Sequence, residues 1–152
     1  MILVIDASVV VKWFVRESGS DLALEVLAGR ALDDVGGVSP ESNVLIAPEF
    51  VLIEVANVFR RKCAAGEIVE GQAVEAIRSL PLLFHRLVPA ADIGEAALRI
   101  ANRLNHPVLD CAYLACAIAA DGMLVSADDK FIGKCVRAGH QAQVRGLRTT
   151  GA

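Results

Sequence analysis

Ile2-Leu3-Val4-Ile5-Asp6-Ala7-Ser8 is the stretch on which the fold turns. Its apolar, largely β-branched run suits a strand buried on both faces. The run stops at an acid, and residues 8–15 then read as a helix. The same grammar returns late in the chain. Met123-Leu124-Val125-Ser126 is a strand, Asp128-Asp129 follows, and a helix is expected over 128–138, ending at Gly139. Working inward, Val44-Leu45-Ile46-Ala47 is a second strand stopped by Pro48, 84–88 is a short strand before Pro89, and 143–147 is the last. Helices are expected from a Ser18 or Ser20 cap to about Leu32, over 49–65, over 70–80 with Pro81 as the stop, over 92–104 and over 108–120. The segment 33–42 is a loop by composition. Short apolar strands alternating with helices indicate an α/β sandwich around a mostly parallel sheet. Sites in such folds lie at the carboxyl ends of strands. No repeat or linker divides the chain, so one domain is expected over 1–152.

The composition is 55% hydrophobic and 22% charged, more apolar than the roughly 45–50% usual for globular domains. The surplus suits a thick core together with a contact surface. Fifteen Lys and Arg stand against 18 Asp and Glu, a net charge of −3. Overall charge therefore gives no support for nucleic-acid binding, and any such contact needs a local basic patch. Cys63, Cys111, Cys116 and Cys135 form no C-x-x-C pair, and are read as reduced core thiols in a reducing cytosol. Asp6 and Lys12 interrupt the apolar start, which has no basic lead, so it is not read as a signal peptide. No run of about 18 apolar residues is present. No membrane span is expected, and the expected location is the cytoplasm.

Four acids are candidates for chemistry. Asp6 ends the first strand, where a helix cap is the bland alternative. Glu54 lies beside the apolar arc of Val51, Leu52, Val55, Val58 and Phe59, in a polar stripe with Asn57 and Arg61. The alternative there is a surface pair with Arg61, worth little. Asp110 sits in the first turn of a helix that is apolar almost all round. Burial there is costly for a carboxylate unless it is paired or bound to a metal, although a helix N-terminus favours an acid. Asp128 follows a strand and could also be a cap. Gathered at one sheet edge, the four would repel one another without a cation. Oxygen ligands without soft partners suit Mg²⁺ or Mn²⁺.

Val4-Ile5-Asp6-Ala7-Ser8 with Val11-Lys12-Trp13-Phe14, Glu54-Val55-Ala56-Asn57 with Arg60-Arg61, His106-Pro107-Val108-Leu109-Asp110 running into Leu114-Ala115, and Leu124-Val125-Ser126-Ala127-Asp128-Asp129-Lys130-Phe131 together resemble the PIN-domain family. The ordered set covers nearly the whole chain, and the Val-Lys-Trp start is similar to VapC-type toxins. The resemblance implies a three-layer α/β/α sandwich, a single nuclease domain, and a Mg²⁺ or Mn²⁺ site made by Asp6, Glu54, Asp110 and Asp128. It implies hydrolysis of RNA phosphodiesters by a metal-activated water. Ser8 and Ser126 would support the acids by hydrogen bonds, with Asn57 joining them and Asp129 assisting or replacing Asp128. Ser126 stands where the family often has Thr. A homodimer held inactive by a VapB-like antitoxin is implied as well.

Lys12, Arg60, Arg61 and Lys130, with Arg16, Lys62 and Lys134, are candidates to rim the cleft and bind phosphates. Their bland alternative is a solvated charged face. A haloacid-dehalogenase-type phosphatase also places an Asp after its first strand, but needs a second Asp where this chain has Ser8. The remaining alternative is a catalytically inert PIN-like module that binds RNA or protein.

Overall fold

The computed structural model describes residues 1–29 and 43–147. Among the described residues five strands form one sheet: β1 (Ile2–Ile5), β2 (Val44–Pro48), β3 (Arg86–Val88), β4 (Met123–Ser126) and β5 (Val144–Gly146). Their order is β3-β2-β1-β4-β5. Every pairing is parallel, so the expected mostly parallel sheet is wholly so. Parallel neighbours need crossover connections. The helices supply them: α1 (Ala7–Phe14), α2 (Ser20–Leu27), α3 (Val51–Ala64), α4 (Glu70–Ser79), α5 (Ala90–Leu104), α6 (Val108–Ala119) and α7 (Asp129–Arg137). Helices flank the sheet, giving the three-layer α/β/α sandwich.

The apolar run of β1 makes it the central strand, with Leu3, Val4 and Ile5 buried. It pairs Leu3 with Leu45 on one side and with Met123 on the other. The chain moves from β1 to β2 and β3 on one side, then crosses to β4 and β5 on the other. The strand order therefore reverses beside β1, and open α/β sheets place their crevice at such a point. Helix α6 explains its own composition, since it packs across β1, β2 and β4 and along α5, with Cys111 to Ala117 all buried. Gly122 enters β4 where a Cβ would stand 2.8 Å from the Ile2 carbonyl oxygen, so only glycine fits against β1.

Several boundaries differ from the sequence expectation. Helix α2 ends at Leu27 rather than Leu32, because Gly29 turns to a left-handed φ of +76°. Neither serine caps it. Gly19 holds the cap position, and the Ser20 hydroxyl instead donates to the Val15 carbonyl and accepts from Glu17 N. Helix α4 ends at Ser79, one residue before the expected end and ahead of Pro81 as the sequence predicts, but the chain continues in 3-10 form. Pro81 sits early in that turn, Leu80–Leu83, where a missing N–H costs nothing. Glu49 stays outside α3, and its carboxylate accepts from Ala90 N, so α5 starts directly after Pro89. The predicted loop 33–42 and the last residues lie outside the described residues.

Buried Trp13 donates to the Ala23 carbonyl at 2.8 Å and fastens α1 to α2. The four cysteines are free, three of them buried. Burial pushes the thiols of Cys111 and Cys116 up to about 11 and that of Cys135 to about 12, so they stay protonated. No helix among the described residues is long and apolar enough to cross a membrane.

Candidate active site

Asp6 follows β1 and occupies the N-cap position of α1, yet its side chain makes no capping bond. Capping is therefore at most a minor role, since the Ser8 amide lowers the carboxyl less than either serine hydroxyl does. Its Oδ2 accepts instead from the hydroxyls of Ser8 and Ser126, each at 2.6 Å. Ser8 Oγ also accepts from Ala127 N, and Ser126 Oγ from Asp128 N, each at 3.0 Å. The two serines thus bolt the carboxyl ends of β1 and β4 together around one carboxylate. Burial pushes the Asp6 carboxyl up, the serine hydroxyls pull it back, and the Asp110 charge adds to the net rise.

Glu54 lies in the first turn of α3. It forms no ion pair with Arg61. Its Oε2 accepts a short hydrogen bond from the Tyr113 hydroxyl on α6. Burial raises the Glu54 carboxyl, the Tyr113 bond opposes that, and the charges of Asp6 and Asp110 raise it further. The Tyr113 hydroxyl is itself driven up by burial and by the Asp6 and Glu54 charges, so it remains a donor. Phe50 meets the Tyr113 ring edge-on at 5.5 Å and fixes its plane.

Asp110, in the first turn of α6, takes His106 Nε2 at 2.8 Å on its Oδ2. Asp128 does cap: its Oδ1 accepts from Lys130 N and Phe131 N at 3.0 Å. Asp129 is exposed in the first turn of α7, and Asn57 is exposed on α3 with no hydrogen bond to the acids.

The structure brings Asp6, Glu54 and Asp110 into one electrostatic field. It does not bring all four acids into one ligand shell. Among the described residues no three Asp, Glu, His or Cys side chains stand close enough to hold one ion as placed. Uncompensated carboxylates repel, and each is drawn to its own protein donor. The donor chemistry still fits a hard divalent cation, with carboxylate oxygens alone and no soft ligand. Glu54 Oε1, Asp110 Oδ1 and Asp128 Oδ2 accept nothing from a described residue, so each acid keeps an oxygen for a ligand.

The PIN domain model matches residues 3–135. The chain belongs to the PIN domain family. A solved structure, that of PAE2754 from Pyrobaculum aerophilum, superposes with a TM-score of 0.65 over 97% of this chain and 84% of that one. At 14% identity it speaks for the fold alone. No curated protein matches the sequence. The family is a nuclease superfamily, whose members typically use divalent metals.

Sequence reasoning missed two residues of this PIN domain's site, Tyr113 and His106. The signal for Tyr113 was faint: it is the one buried phenol on an otherwise apolar helix, a turn beyond Asp110. The cationic rim is smaller than expected. Lys12 is bound to Glu17 at 2.8 Å and to the Ser18 carbonyl. Lys62 joins Glu17 and Glu67. Glu17 feels partial burial pushing its carboxyl up, yet the two lysines hold it below its usual value. Arg16 pairs with Asp21. Lys134 donates to the Asn105 carbonyl at 3.1 Å. Arg60, Arg61 and Lys130 are exposed and make no ion pair with a described residue.

Proposed function

We propose that the chain is a single-domain, Mg²⁺- or Mn²⁺-dependent endoribonuclease acting in the cytoplasm as the toxin of a VapBC-type pair. The carrying observation is Asp6. A carboxylate at the carboxyl end of the central strand, held chiefly by two serine hydroxyls rather than by helix amides, is placed to meet a ligand. Glu54 and Asp110 share its field, and Asp128 stands at the end of the adjacent strand. A divalent cation bound there would supply an activated water and neutralise charge on the phosphoryl group. The chain's own residues hold its ligands: Ser8 and Ser126 orient Asp6, and Tyr113 orients Glu54. Arg60, Arg61 and Lys130 are the cations left to take RNA phosphates.

The toxin role draws support from uncovered apolar surface. A cleft of about 790 Å³ opens between Phe14, Phe59, Ile68 and Ala76, and another of about 450 Å³ between Ala56, Cys63, Val74 and Ile77. They flank α4 and offer seats for a second subunit or an antitoxin helix. An antitoxin arginine reaching the acids would pair with them and block a cation.

The test is RNA cleavage with Mg²⁺, Mn²⁺ or EDTA, comparing wild type with Asp6→Asn. Metal-dependent cleavage lost in the variant supports the reading. The spacing of the acids favours the competing inert module, and RNA binding without cleavage at any metal concentration would establish that module instead.

A further inference from the structure

His106 stands between two helices. Its Nε2 meets Asp110 Oδ2 at 2.8 Å, its Nδ1 lies 3.4 Å from Lys134 Nζ on α7, and its ring stacks on Phe131 at 4.6 Å with 14° between planes. A lysine ammonium has donors only. That contact is satisfied when Nδ1 carries the lone pair, and the 2.8 Å contact with Asp110 when Nε2 carries the proton. The ring is held on its face by Phe131 and at both nitrogens, and the His106 side chain is only 17% exposed.

We propose that His106, oriented by Lys134 and Phe131, is a positioning residue for Asp110. The carboxylate it grips is 39% exposed and, ungripped, would rotate freely at the edge of α6. With Oδ2 tied to the ring, Oδ1 stays fixed for a cation. The same contact sets α6 against α7, whose first turn Asp128 caps, so the third and fourth acids acquire a fixed relation. This rests on the metal-dependent reading above. Hydrogen bonds to ligating carboxylates from outside the ligand shell are commonly worth 10–100-fold in metal affinity.

The experiment has two arms on the full chain. Long-range ¹H–¹⁵N NMR of the metal-free protein at neutral pH reads the tautomer. We expect the proton on Nε2, shifted by Asp110→Asn, and a changed Nδ1 signal in Lys134→Met. Calorimetry with Mn²⁺ reads the consequence. His106→Gln, whose amide N–H reaches the Nε2 position, should keep affinity within about threefold, whereas His106→Ala should weaken it by about tenfold or more. A ring proton on Nδ1, or a His106→Ala protein that binds Mn²⁺ like wild type, overturns the proposal. If His106→Ala does not fold, Lys134→Met decides, and an unchanged ring spectrum with unchanged affinity overturns it. A wild type that takes up no Mn²⁺ sinks the metal-dependent reading instead. The ring spectrum then decides the positioning role, upheld by Nε2–H and the Asp110→Asn shift.

Discussion

Asp6 occupies a capping position and does not cap, whereas Asp128 occupies one and does. The difference is the serines. Ser8 and Ser126 give the Asp6 carboxylate its main donors, with the Ser8 amide a weaker one, at the cost of holding a carboxylate in a buried place. That cost gives the first prediction. The folded-state pKa values of Asp6 and Glu54 are raised, so the native state keeps protons that the unfolded chain has lost. Metal-free stability should therefore fall as pH rises from the ordinary carboxylate range through the raised values. Asp6→Asn should abolish cleavage and raise the metal-free Tm at neutral pH, by roughly 2–4 °C for each kcal/mol relieved. The gain should fade in acid, where Asp6 is protonated anyway. Thermal melts of both proteins from acid to neutral pH check this, and a lower Tm for the variant throughout would restore the capping role. The second prediction is Tyr113→Phe. Removing the donor removes the contact that lowers the Glu54 carboxyl, so the acidic limb of the pH–rate profile should move to higher pH. Activity should fall about tenfold or more.

At the scale of elements, the sequence spoke where a pattern belongs to one segment. The strand of Met123 to Ser126 was legible in full because a short apolar run bounded by Asp121-Gly122 before it and Asp128-Asp129 after it suits a buried parallel strand. The start of α5 was not, because the group that satisfies its first amide is Glu49, 41 positions earlier. The same holds in the site. The four acids stood out as candidates because strand ends and first helix turns mark their positions. Their partners did not, since Tyr113 reaches Glu54 across 59 positions and no local pattern announces such a contact. Lys12 looked like a phosphate ligand, and folding spends it on Glu17. Gly122 supplies a third prediction. Gly122→Ala puts a methyl 2.8 Å from backbone oxygen of β1, and should cost about 1–3 kcal/mol by overpacking. A denaturant midpoint equal to wild type would show that β1 and β4 can separate without penalty.

For the whole molecule, net charge stays at −3, so substrate attraction must be local. Neutralising Arg60, Arg61 and Lys130 together should weaken RNA binding and reduce the salt slope by roughly 2, at about 0.7 per phosphate contact on a single strand. Lys12→Met should leave that slope alone and lower stability, because its charge serves Glu17. Binding isotherms from low to moderate salt separate the two outcomes. The exposed side chains of Ile53 and Leu82, 73% and 84% accessible, add to the apolar surface a partner would cover. Under the proposed toxin role, co-expression with a VapB-like antitoxin should yield a complex that does not cleave RNA until the antitoxin is removed.

One of the two hydroxyls that grip Asp6 comes from Ser126, 120 positions along the chain. During synthesis the first strand emerges early, but its neighbour on the other side emerges last but one. Until then Asp6 has Ser8 but not Ser126, and Asp110 has no α7 beside it. Non-local pairing of this kind also slows folding. A ribosome making this protein is therefore handling a chain whose candidate site is unassembled for most of its length, and a partner that binds the nascent helices α1 to α4 can arrive before that site forms.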